Sequence, residues 1–294
     1  MKEKFTLGLI QSSYCNRIEE NIQKNIKNIE EAKKRGAELI CLSELHNTLY
    51  FCQKEDVNFF EFAETIPGKS TELYGKLAKS LKVHLVISLF EKRDRGIYHN
   101  TAILIDDSGN IAGKYRKMHI PDDPGFYEKF YFTPGDLGFT PLETSLGRIG
   151  ILVCWDQWFC EPARILALKG AEIIIYPTAI GWEPADLTEE KNHQLDSWIT
   201  VQRGHAVANG IFVAAVNRVG NEKISADECG IDFWGSSFVC GPQGEIIAIG
   251  STSKEEIIIS EIDKSRIEKV RRIWPFFRDR RIDSFGEILQ RYLT

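Results

Sequence analysis

The chain has 294 residues, 43% of them hydrophobic and 27% charged, with a formal net charge of −5. Such a composition belongs to a soluble globular protein with ample core, of a size for one large α/β domain or two ordinary ones. The acidic balance, the lack of a basic stripe with interleaved aromatics, an amino terminus without an apolar signal core and the absence of a membrane-length apolar run argue against nucleic acid, export and membrane insertion.

Phe5 to Gln11 reads as the first strand. Ile18, Ile22, Ile26, Ile29 and Ala32 then recur at helical spacing, with Asn16 and Glu19 spaced as a capping box and Gly36 as the stop. Glu38 to Glu44 is a second, buried strand. A helix from about Ser70 carries Leu73, Leu77 and Leu81 on one face, and the strand Val83 to Phe90 follows it. This β-α-β-α-β order predicts a parallel or mixed sheet with helices outside. Asn100 to Ile105 and Ile111 to His119, joined at Asp106-Asp107-Ser108-Gly109-Asn110, form a hairpin.

The unbroken run Ile149 to Val153 is another buried strand, and it ends at Cys154. A short helix follows, with Pro162 in its first turn and Gly170 past its end. Then come the strand Ala171 to Tyr176, a loop from Pro177 to Asp186, and a long helix from about Thr188 to Asn209. Leu195, Trp198, Ile199, Gln202 and Ala206 face inward on it. The strand Ile211 to Val216 comes next. Trp234 to Cys240 and Glu245 to Ile249 read as a second hairpin, a weak internal echo of the first. Two α/β halves, each closed by a hairpin, make a two-sheet sandwich, and no linker divides residues 1–294. The tail from Trp274 to Thr294, rich in aromatics and arginines, belongs to neither half and suits packing on a neighbouring subunit or on its own chain.

Seven cysteines, scattered and odd in number, read as reduced thiols in the cytoplasm. No Cys-x-x-Cys or His-x-x-x-His pair suggests zinc. Cys154 has two readings: a small core side chain, the commonest fate of a free cysteine, or a nucleophile at the mouth of a pocket, where strand ends often lie. An unassisted thiol titrates near pH ~8.5, so a nucleophile needs a partner. Neither His119 nor His205 lies in a Cys/His hydrolase pattern, and structural roles suit both. Glu44 ends an apolar strand, and Lys117 falls on the hairpin face opposite Lys114 and Arg116. Convergence of these strand ends would bring a carboxylate, an ammonium and a thiol together. Each also has a plain structural explanation, and periodicity leaves both readings open.

Leu42-Ser43-Glu44, Lys114-Tyr115-Arg116-Lys117-Met118-His119-Ile120-Pro121 and Val153-Cys154-Trp155-Asp156, in this order, resemble the blocks of the nitrilase superfamily of carbon–nitrogen hydrolases. The resemblance covers nearly the whole chain. It implies a four-layer α-β-β-α sandwich, with Cys154 as nucleophile, Glu44 as general base, Lys117 as cationic stabiliser and Glu128 as a supporting carboxylate. The backbone N–H of Trp155 joins Lys117 around the oxyanion. Neither metal nor organic cofactor has a task, and a homo-oligomer built from dimers is expected by resemblance.

Cys154 to Phe159, Tyr176 to Pro184, Phe233 to Phe238 and Arg278-Asp279-Arg280-Arg281 bring the chain nearer to the N-carbamoylputrescine amidohydrolase branch. Cys160 departs from it, where proline is expected, and this bears on helix entry. That branch implies a ureido-amine substrate of polyamine biosynthesis, whose ammonium needs a carboxylate far from the thiol. Glu183 beside Trp182 is the first candidate, Asp122 and Asp123 are the next, and Tyr50 is a further substrate-binding candidate. A β-ureidopropionase-like or ω-amidase activity, with arginine in the distal pocket, is the alternative within the superfamily. A non-catalytic scaffold on the same fold is the alternative outside enzymes.

Overall fold

The computed structural model describes residues 2–293; Met1 and Thr294, the last residue of the tail, lie outside the described residues. The first half runs β1 (Lys4–Gln11), α1 (Ile18–Lys34), β2 (Leu39–Leu42), α2 (Lys69–Leu81), β3 (His84–Asp94), β4 (Ile97–Ile105) and β5 (Ile111–Arg116). The second begins with β6 (Leu142–Thr144), β7 (Gly147–Ile151), α3 (Cys160–Leu168), β8 (Ile173–Pro177), β9 (Gly181–Trp182) and α4 (Thr188–Asn209). It continues with β10 (Phe212–Val216), β11 (Val219–Glu222), β12 (Ile231–Trp234), β13 (Phe238–Cys240), β14 (Ile246–Ile249), β15 (Glu256–Asp263) and α5 (Ser265–Ile273).

Two six-stranded sheets result, ordered β15-β1-β2-β3-β4-β5 and β14-β13-β10-β8-β7-β6. In each, three parallel strands are flanked by a hairpin on one side and an antiparallel strand on the other: β1, β2 and β3 correspond to β7, β8 and β10. The echo between the two hairpin turns therefore has a structural counterpart. Side-chain alternation makes the layers: Leu39, Cys41, Val86 and Leu104 join the core shared with the second sheet, while Ile40, Leu42, Ile87 and Ile105 pack with Ile29 of α1 and Tyr74 of α2. On the far side, Leu166 of α3 and Trp198 of α4 cover the second sheet. This is the expected α-β-β-α sandwich.

Several local expectations are corrected. The N-cap of α1 is Arg17, without a side-chain cap bond, so Asn16 and Glu19 form no capping box. The buried ridge of α1 is Asn21, Asn25, Ile29 and Ala32, rotated from the isoleucine row. The asparagines face inward because they bond the loop after Glu44: Asn21 Nδ2 donates to Asn47 O and Asn25 Nδ2 to His46 O. On α2 the buried row is Thr71, Tyr74 and Ala78, not the leucines. Trp234 ends β12 of a small third sheet, β11-β12-β9, and a turn with positive φ at Gly235 and Ser236 separates it from β13. The tail turns back at Phe277, which lies under the guanidiniums of Arg164 and Arg271; beyond it, Ile282, Phe285, Ile288 and Leu289 are exposed. No helix among the described residues is long and apolar enough to cross a membrane.

Candidate active site

Glu44 lies two positions past β2, Lys117 one past β5 and Cys154 three past β7, so strand ends from both sheets meet at one rim. Lys117 Nζ donates to Glu44 Oε1 at 2.8 Å and to Glu128 Oε2 at 2.6 Å, and all three side chains are fully buried. Asn100 Nδ2 donates to the same Glu44 oxygen at 2.6 Å, and Tyr50 OH donates to Glu128 Oε1 at 2.7 Å. Glu44 Oε2 is buried without a partner. The backbone at Lys117 is held by Asn100 O and by the N–H of Gly135. Gly135 is required there, since a Cβ would lie 2.0 Å from Arg116 O. Lys114 and Arg116 pair with Glu91 on the opposite face, as strand alternation predicts.

Cys154 opens a short 3₁₀ turn, Cys154–Trp158, with φ of +43°, a left-handed conformation that costs a non-glycine residue about 1–3 kcal/mol. Asp156 over-determines this elbow: its two oxygens accept from Val153 N, Tyr115 OH and His119 N. His119 Nδ1 lies 2.7 Å from Asp156, and its ring stacks on Phe159. His205 Nε2 lies 2.8 Å from Gln157 O. Both histidines are thus engaged in holding the turn. The thiol lies 3.6 Å from Ala179 O.

Electrostatics follow from burial. Burial works against the Lys117 ammonium, but the Glu128 and Glu44 carboxylates outweigh it and hold its pKa well above the usual lysine value. Burial, helped by Glu44, pushes Glu128 up to about 7 against the pull of Lys117. Burial and the Glu44 charge raise the Cys154 thiol well above its ordinary value, so it rests protonated. The arrangement holds a fixed cation, a carboxylate oxygen free to accept a proton, and a thiol that must lose one.

A cavity of about 560 Å³ opens over Cys154 and Trp155, a volume typical of small-molecule sites. Phe126, Trp158, Ile180 and Trp234 are among its apolar walls; Asp123, Glu183, Asp186 and Glu190 line it as well, and among the described residues no lysine or arginine does. Burial raises the pKa of Asp123, whose Oδ1 is buried without a partner. Three of the substrate-binding candidates, Asp122, Tyr50 and Trp182, lie outside this lining, as do the buried Glu44, Lys117 and Glu128. Tyr50 instead orients Glu128. Trp182 packs on Trp234 at 5.4 Å, and its indole N–H donates to Lys191 O. Pattern reading missed Asn100, Asp186, Glu190 and Arg218. The signal for Asn100 was present: His99-Asn100-Thr101 interrupts a strand whose neighbours are apolar.

Residues 6–272 match the carbon–nitrogen hydrolase family model. The chain belongs to this family. It is 41% identical to the N-carbamoylputrescine amidase of Oryza sativa subsp. japonica, over 97% of this chain and 95% of that one. The citrullinase of Francisella tularensis is 40% identical, over 97% and 98%. The crystal structure of a carbon–nitrogen hydrolase from Helicobacter pylori G27 matches with a TM-score of 0.95 at 51% identity, covering 99% of this chain and all of that one. The protein is therefore a carbon–nitrogen hydrolase of the nitrilase superfamily, with an amidase's type of reaction.

Proposed function

We propose that this hydrolase converts N-carbamoylputrescine to putrescine, CO2 and ammonia, with Cys154 as nucleophile. Glu44 takes the thiol proton on its unpartnered oxygen, and the sulfur attacks the ureido carbon. Lys117 and the Trp155 N–H hold the oxyanion, Glu128 keeps Lys117 in place, and Glu44 returns the proton to the leaving nitrogen. Water, deprotonated by Glu44, then releases the thiol-bound carbamoyl group as a carbamic acid, which loses CO2. The chain's residues need no metal or cofactor for these steps.

One observation carries the choice of substrate: among the described residues, the cavity over Cys154 is lined by Asp123, Glu183, Asp186 and Glu190 and by no lysine or arginine. A substrate with a distal ammonium suits that field, Glu183 being the assigned partner; one ending in a carboxylate, such as N-carbamoyl-β-alanine, does not. The citrullinase relative supports a second reading, since citrulline carries the same ureido group with both an ammonium and a carboxylate. Ammonia release from N-carbamoylputrescine, citrulline, N-carbamoyl-β-alanine and simple ω-amides, with Cys154→Ala as control, tests this. The largest kcat/KM belongs to N-carbamoylputrescine; a larger one for citrulline would establish the second reading. No release and no thiol labelling would leave a scaffold. The exposed apolar tail residues support assembly as a dimer-based homo-oligomer with residues 274–293 at the contact, and the scattered free cysteines support a cytoplasmic location.

A further inference from the structure

Beneath the catalytic carboxylates lies a second charged pair that the reaction scheme does not use. Arg218, at the turn from β10 to β11, is fully buried and pairs with Glu222 at 2.8 Å. Its N–H groups also donate to Glu44 O, Leu45 O and Thr48 O at 2.8–3.1 Å. Those carbonyls belong to the segment that turns away from β2, where Leu45 has φ of +52°. Glu222 accepts from Tyr50 N at 2.7 Å and from Tyr14 N at 3.2 Å, and the Tyr50 hydroxyl holds Glu128. One ion pair therefore grips the backbone of Glu44 with its cation and the residue that orients Glu128 with its anion.

We infer that Arg218 and Glu222 are a positioning pair that sets the placement of Glu44 and Glu128 about Lys117. Five N–H donors in a rigid fork can satisfy three carbonyls and a carboxylate together, which the three donors of a lysine cannot. Because Glu222 takes the guanidinium, Arg218 reaches Glu44 through its carbonyl, and Glu44 Oε2 stays free of a partner. A buried ion pair is an expensive way to stabilise a fold, and an apolar replacement of both partners is often neutral. Positioning gives a reason to keep it.

This inference rests on the roles assigned above to Glu44 and Cys154. Its test uses the full-length protein as Arg218→Lys, as Glu222→Gln, and as the double variant Arg218→Met/Glu222→Met, which leaves neither charge orphaned. Two quantities are measured on variants with the wild-type near-ultraviolet circular dichroism: kcat and KM on N-carbamoylputrescine, and the rate of Cys154 alkylation by iodoacetamide. Arg218→Lys and the double variant should lose about 10- to 100-fold in kcat, the range that misplacement by up to 1 Å produces, with KM within about twofold. Alkylation should slow with kcat, because removing the thiol proton needs Glu44 in place. A folded double variant with kcat and alkylation within about twofold of wild type overturns the inference, as does a loss confined to KM. Should wild type fail to hydrolyse N-carbamoylputrescine, the substrate reading falls, and the alkylation rates still decide the positioning role.

Discussion

The buried cluster of Glu44, Lys117 and Glu128 and the mouth of the cavity over Cys154 hold their charges in opposite ways. Glu44, Lys117 and Glu128 have no exposed surface and are fixed by bonds of 2.6–2.8 Å; the first two stand just past strand ends and Glu128 opens a 3₁₀ turn. Glu183 and Glu190 are exposed, and they and Asp186 lie between the short strand β9 and the first turn of α4. In the buried cluster, low dielectric makes each interaction strong and each loss costly. At the mouth, water and salt weaken every carboxylate, so recognition is shared among several. On the proposed function, chemistry falls to the rigid part and selectivity to the solvated one.

Substitutions should reproduce that contrast. Glu44→Gln keeps an acceptor for Lys117 and Asn100 but cannot take a proton, so kcat should fall roughly 10²- to 10⁴-fold with little change in melting temperature. A smaller loss in single-turnover assays would mean another base. Lys117→Met should lower kcat about 10²- to 10³-fold and leave two carboxylates facing each other in the core. A stability loss of about 3–5 kcal/mol in urea unfolding is expected; an unchanged midpoint would contradict the buried ion pair.

Glu128 gives the comparison a pH signature. Burial, helped by the Glu44 charge, raises its carboxyl to about 7 against the pull of Lys117. The acid limb of kcat/KM should accordingly lie near pH 7. Glu128→Gln removes that titrating carboxyl, so the limb near pH 7 should disappear from the profile. A limb that stays near pH 7 would assign it to a group other than Glu128. The smallest effect is at the mouth: Glu183→Gln should raise KM by no more than about tenfold, leave kcat nearly unchanged, and lose its effect at high salt. An unchanged kcat/KM at low salt would remove Glu183 from the site.

Much of this molecule was legible in the sequence. Fully buried strands such as Ile173–Pro177 announce themselves as apolar runs, because both faces of each sheet are covered. Glu44, Lys117 and Cys154 could be marked as strand-end residues, and the motif order implied their meeting. Tertiary structure decided the rest. Arg218 reaches the carbonyl of Glu44 across 174 positions, and Tyr50 reaches Glu128 across 78, distances over which no local pattern carries information. The buried asparagines of α1 defeated a hydrophobic-face reading because their partners lie in another segment. Which acids line the cavity depended likewise on how β9 and α4 pack, which removed Trp182 from the lining and added Asp186 and Glu190. Periodicity is a local property of the chain and determined the layers; the pairing of buried polar groups is a property of the folded chain, and the structure alone decided it.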